Sequence, residues 1–147
     1  MESLVAWTGE DGRRIEPYGL DLIPSLAALA RERLPRWKDR IFFGNVMYWK
    51  PPLRFDFVRT ELGYVPRNRR PELVERLLGD YLAPGGRLIL CSYGSSRPHQ
   101  PGAEPVEEAL RAWNYDVAGD SEGVDANGVV ITRVAWTDAP HRPKPDT

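Results

Sequence analysis

The sequence predicts an α/β domain built on a mostly parallel sheet whose last strand runs antiparallel. Three observations carry this. Strand-like apolar runs alternate with segments of helical periodicity from about residue 15 to residue 113. Proline or glycine marks the boundaries, and alternating strands and helices fold as crossover units on a parallel sheet. The last two apolar runs are separated only by a turn-rich stretch, Gly119 to Gly128, too short for a helix, so they pair as an antiparallel hairpin.

Taken in order, Leu4, Val5 and Trp7 are helix-like and lead into a loop with Gly9 and Gly12. Ile15 to Leu20 is a short strand ending at Gly19-Leu20-Asp21, and Pro24 suits the first turn of a helix reaching about Leu34. Leu26, Leu29, Ala30 and Leu34 form its apolar stripe, with Arg31, Glu32 and Arg33 toward water. Strands follow at Arg40 to Phe43, stopped by Gly44-Asn45, and at Phe55 to Thr60 after Pro51-Pro52. Pro71 opens a helix to about Leu82, with Leu73, Leu77, Leu78 and Tyr81 on one side. Pro84-Gly85-Gly86 ends it before the strand Leu88 to Cys91. A helix at about Glu104 to Trp113 directs Val106, Leu110 and Trp113 inward, and strands at Tyr115 to Ala118 and Val129 to Trp136 close the domain. We therefore expect one domain over residues 1–138 and a proline-rich disordered tail over 139–147.

Composition narrows the function classes. At 147 residues the chain is one domain long, with 41% hydrophobic and 28% charged residues, the balance of a globular protein. A net charge of -1 offers no general attraction for nucleic acid. The one basic cluster, Arg67, Arg69 and Arg70, opens a helix and is expected on a solvated face. No apolar run approaches the roughly 20 residues of a spanning helix, and the N-terminus lacks a secretion signal, which points to a soluble, cytoplasmic protein. Cys91 is the only cysteine and His99 and His141 sit apart in proline-rich loops, so no metal site is expected.

The residues that carry chemistry stand at strand ends, where open α/β sheets bind ligands. Asp21 either accepts hydrogen bonds from the hydroxyls of a ribose or caps the helix that follows. Asn45 is either a ligand to a base or a turn residue. Thr60, Glu61 and Tyr64 follow a strand, as does the loop Met47-Tyr48-Trp49. Glu61 is a candidate proton acceptor for a hydroxyl or amine, or an ion-pair partner of Arg59 or Arg54. Tyr64 lines an acceptor pocket or simply packs.

Tyr18-Gly19-Leu20-Asp21 with Pro24, Leu26, Ala30 and Arg31, then Phe43-Gly44-Asn45, Phe55-Asp56-Phe57-Val58 and Leu82-Ala83-Pro84-Gly85-Gly86-Arg87-Leu88, resemble in order the motifs of the class I S-adenosylmethionine (SAM)-dependent methyltransferases. The resemblance runs from residue 18 to residue 92 and the closing hairpin extends it. It implies a Rossmann-like sheet, SAM as cofactor, and Asp21, Leu22, Asn45, Val46 and Thr60 as cofactor contacts, with Asp21 on the ribose and Asn45 on the adenine amine. It also implies Glu61 and Tyr64 on the acceptor side, and no metal.

One part of the pattern is missing. In nucleotide-binding α/β folds a glycine-rich turn lies about 20 residues before the strand-end acid, and no such turn precedes Asp21. The expectation is thus a methyltransferase-like domain lacking the first strand and its glycine-rich loop. Methyl transfer to a small-molecule acceptor is the first functional reading. A truncated, non-catalytic domain that forms homodimers is the second, and a nicotinamide-dependent oxidoreductase, which would not need the closing hairpin, is the third.

Overall fold

The structure is a computed structural model that describes residues 1–140; His141 and most of the expected tail lie outside the described residues. Where a single domain over 1–138 is expected, backbone contacts divide the chain into two compact units, Met1–Trp49 and Lys50–Thr147. The strands explain the division, because among the described residues no ladder joins the first two strands to the other four.

In the first unit, helix α1 spans Glu2–Glu10, strand β1 Gly19–Asp21, helix α2 Pro24–Arg33 and strand β2 Ile41–Phe43. Gly9 lies inside the last turn of α1. Gly12, at φ +70°, ends the helix: its N–H reaches Gly9 O at 3.0 Å and that of Arg13 reaches Thr8 O at 2.8 Å. This is the paired closure that a left-handed glycine permits at a helix C-terminus. Strands β1 and β2 are parallel, with Asp21 opposite Phe43. The expected stripe on α2 needs correction. Ala27 is the buried residue, whereas Leu26 and Leu29 are exposed and line a shallow groove with Met1 and Ser3 of this unit. Arg31 is exposed as expected, and its Nε also donates to Ile41 O at 2.8 Å. A ten-residue helix on a two-stranded ladder has room for one small contact residue, so helical period alone overstates its buried face.

In the second unit, strand β3 spans Phe55–Glu61, helix α3 Arg70–Arg76, strand β4 Leu82–Tyr93, helix α4 Val106–Ala112, strand β5 Gly119–Val124 and strand β6 Val130–Asp138. The sheet order is β3-β4-β6-β5; β3 and β4 are parallel, and β6 is antiparallel to both β4 and β5. The parallel sheet with one reversed strand is as the sequence predicts. Helix α3 continues into a π-helical turn, Leu77–Tyr81, and β4 starts at Leu82, earlier than expected. Pro84-Gly85-Gly86 is therefore an irregularity inside the strand, where the register against β3 shifts between Phe55 and Phe57. Glycine is required at 86, since a Cβ there would stand 2.9–3.0 Å from the carbonyl oxygens of Ala83, Asp56 and Phe55.

The strand expected at Tyr115 to Ala118 is absent; the ladder begins at Gly119 and takes in Gly119–Val124, more than half of the expected turn region. The residues Gly-Asp-Ser-Glu-Gly have poor intrinsic strand preference, and pairing with β6 overrides it. Gly119 lies beneath the Trp136 ring, whose nearest atom stands 2.2 Å from where a Cβ would sit. The true turn is Asp125 to Gly128, closed by Asp125 Oδ1, which accepts from the amides of Asn127 and Val129, each at 2.9 Å.

The core of this unit lies on one face of the sheet. Leu88, Leu90 and Ala135 are fully buried there, with Val106 and Leu110 of α4 and Leu73 and Val74 of α3 also in the core. Glu107 on α4 accepts from Arg133 of β6 at 2.9 Å. Ala139, placed in the disordered tail by composition, is buried, and its amide donates to Gly86 O at 2.7 Å.

The basic cluster is not simply solvated. Arg69 pairs with Glu72, while Arg67 and Arg70 both reach Glu104, at 3.1 and 2.6 Å. The Arg70 hydrogen bond, with the nearby guanidinium charges, holds the Glu104 carboxyl below its ordinary value. A depressed carboxylate stabilises the fold above its unfolded value and loses that contribution as pH falls. Urea midpoints should therefore show Glu104→Gln less stable than the wild type at pH 7. The two should converge as pH falls well below the glutamate range of about 4.3. An equal gap at pH 3 would show that the pair does not act through charge.

Candidate functional site

Asp21 is the last residue of β1, and its own carbonyl accepts the Gly44 amide at 2.9 Å, so the parallel ladder brings Asp21 beside the turn that follows β2. Trp49 keeps position 44 small, since a Cβ there would meet its ring at 2.9 Å. Asp21 Oδ1 accepts the Ile23 amide at 2.8 Å. Ile23 is itself the N-cap of α2, which has no side-chain cap bond, so Asp21 closes the strand-to-helix turn without capping the helix. Among the described residues Asp21 Oδ2 has no hydrogen bond, and Leu22 beside it is exposed.

Asn45 is exposed, and its Oδ1 accepts the Met47 amide at 2.9 Å; its backbone carbonyl accepts from Tyr48 and Trp49. It is a turn residue, though an amide oxygen has a second lone pair to offer. Val46 follows it, half-buried, and Met47 is buried. Of the expected cofactor contacts, the structure thus gathers Asp21, Leu22, Asn45 and Val46 in the first unit.

Thr60 and Glu61 belong to the second unit, where they fall on opposite faces of β3. Thr60 is level with the buried Leu90, and Glu61 with Cys91. Tyr64 closes a short 3₁₀ turn, Leu62–Tyr64, and its hydroxyl donates to Glu61 Oε1 at 3.4 Å, so these two stand together. Neither ion pair expected of Glu61 is present. Arg54 donates to Leu82 O at 2.8 Å and to Gly79 O at 2.5 Å, and Arg59 turns toward β4.

Arg59 and Tyr93 are the members that sequence reasoning missed. The Arg59 guanidinium bonds the Tyr93 hydroxyl and lies 5.8 Å from the centre of its ring. Burial against β4 works to lower the Arg59 value, but the charges and hydrogen bonds of Cys91 and Tyr93 outweigh it and hold the guanidinium above its ordinary range. The available signal was a basic residue inside a strand, two positions from Glu61 and so on the same face. Among the described residues no group of three or more His, Cys, Asp or Glu could hold a metal ion. No helix among them is long and apolar enough to cross a membrane.

No family model and no curated protein matches the chain. Solved structures do, and they decide the fold. The N-methyltransferase NodS from Bradyrhizobium japonicum WM9, in complex with S-adenosylhomocysteine, superimposes with a TM-score of 0.63 at 16% identity. That match covers 83% of this chain and 65% of NodS. The chain has the fold of the class I methyltransferases. The 1,6-didemethyltoxoflavin-N1-methyltransferase of Burkholderia thailandensis, with 1,6-didemethyltoxoflavin and S-adenosylhomocysteine bound, gives 0.60 at 22% identity over 92% of this chain and 65% of its own. The magnesium protoporphyrin IX methyltransferase ChlM of Synechocystis PCC 6803, with bound SAM, gives 0.60 at 14% over 93% and 76%. This class I methyltransferase-like chain spans about 65% of the length of NodS. Its antiparallel β6 also separates it from the dinucleotide-binding arrangement of the oxidoreductase reading.

Proposed function

We propose that the chain binds SAM and serves methyl transfer to a small-molecule acceptor. The observation that carries this is Asp21: a carboxylate at the carboxyl end of a parallel strand, fixed through Oδ1 and with Oδ2 unused by the protein among the described residues. A ribose hydroxyl fits that acceptor as a charge-assisted hydrogen bond. The second lone pair of Asn45 Oδ1 suits the adenine amine, and Leu22 and Val46 complete the cofactor contacts of the first unit. SAM when bound supplies an electrophilic methyl group on a sulfonium. The reaction then depends mainly on positioning, with Glu61 taking the proton of an acceptor N–H or O–H and Tyr64 flanking the acceptor. Three solved structures of this fold, those of NodS, the toxoflavin-precursor enzyme and ChlM, carry S-adenosylhomocysteine or SAM, which supports the same ligand here.

One observation favours a second reading, a non-catalytic domain that self-associates. Among the described residues β3 pairs only with β4, and its Phe57 is 66% exposed. An unpaired edge with an exposed aromatic is a template for a second strand. Calorimetric titration with S-adenosylhomocysteine, run beside light scattering, separates the two. Saturable heat from a monomer supports the first reading. No heat at millimolar ligand, from a folded chain that scatters as a dimer, replaces it with the second.

A further inference from the structure

Two unlike charges stand on the same face of β3, and each is held by a phenol from a different element. Arg59 leans onto β4, bonded to the Tyr93 hydroxyl, while Glu61 receives the Tyr64 hydroxyl at 3.4 Å. Two positions along a strand separate their backbones by roughly 6.6 Å, and they form no ion pair with each other. Among the described residues Arg59 has no carboxylate partner at all, and Glu61 has no cationic one. The bonds of Arg59 to Tyr93 and Cys91 still leave guanidinium donors unused, in a planar fork that matches a carboxylate or a phosphate. Tyr64 is 65% exposed and Tyr93 52%, so flat apolar rings accompany both charges. Oriented, unlike charges flanked by exposed aromatics recognise a small molecule that is itself polar at both ends and flat between.

We propose that this face of the second unit binds the methyl acceptor, and that the acceptor carries an anionic group, carboxylate or phosphate, at one end and an N–H donor at the other. Arg59 takes the anion, Glu61 takes the donor, and Tyr93 is a positioning residue that holds Arg59 away from Glu61. The assignment of the ligand as acceptor rests on the methyl-transfer reading, but the binding itself does not.

The test is an NMR titration of the intact chain without SAM, using 4-aminobenzoate, 4-aminophenyl phosphate and aniline. At least one of the two anions should shift the Arg59 side-chain and Tyr93 ring signals saturably, and the tighter of them identifies the anionic group. Aniline, which lacks the anion, should bind at least fivefold more weakly. Arg59→Gln should raise the Kd of the preferred anion at least fivefold, and Tyr93→Phe, which keeps the ring and removes only the hydroxyl, should raise it less. Aniline binding as tightly as the anions, no binding by either anion, or an unchanged Kd in both folded variants overturns the proposal. Anion-selective binding by a chain that transfers no methyl group would instead remove the methyl-transfer reading alone.

Discussion

Replacing Asp21 by alanine should weaken S-adenosylhomocysteine binding by roughly ten- to a hundredfold. The basis is the loss of a charge-assisted hydrogen bond worth about 1.5–3 kcal/mol net. The same change removes the Oδ1 contact to the Ile23 amide. That contact is local to an exposed turn, so most of the effect should appear in binding and little in the thermal midpoint. Asn45→Ala provides the contrast. Its oxygen already serves the Met47 amide, and any ligand contact it makes is neutral, so its effect on affinity should be several times smaller. Calorimetry on both variants, with midpoints measured in parallel, checks the pair. Equal affinities for wild type and a folded Asp21→Ala would remove Asp21 from the ribose and leave it as a turn residue.

Leu90→Ala should cost about 2–5 kcal/mol of stability, a large part of the roughly 5–15 kcal/mol that holds a domain folded. Leu90 has no exposed surface, and it lies in the middle of β4 between β3 and β6, level with Thr60 on one side and Ala135 on the other. Its side chain is enclosed on the face that α4 covers, so truncation leaves a cavity that paired strands cannot collapse around. A fall in the thermal midpoint of roughly 4–20 °C is the expected reading. Leu26→Ala makes the comparison, since Leu26 is 46% exposed on α2 and its loss should cost under about 1 kcal/mol. If urea denaturation ranked Leu26 with Leu90, the burial described for α2 would be incorrect.

That comparison also marks where the sequence is legible. The position of Asp21 at a strand end, the Phe55 strand, the buried Leu73, Leu77 and Tyr81 after Pro71, and the reversed final strand all follow from local pattern. Strand runs, helical period and turn residues act over a few neighbours, and those neighbours are adjacent in the chain. Leu26 fails for the complementary reason: period shows which residues share a helix face but not whether anything covers it. β5 fails likewise, because Gly119 to Gly123 has no strand preference of its own and becomes a strand only through its partner on β6.

The candidate site divides along the same line. The sequence by itself determined the fold class, Asp21 at a strand end and Asn45 in the turn after a strand, and it put Tyr64 just beyond a strand; Glu61, expected there too, is the last residue of β3. Only the tertiary structure decided that Asp21 spends one oxygen on the turn and leaves the other available, and that Asn45 holds the loop through Met47. It also decided that Arg59 belongs to Tyr93, thirty-four positions away, and not to Glu61 two positions on. Register between strands sets such partnerships, and register is fixed by the packing of a whole sheet face, which no window of neighbouring residues contains.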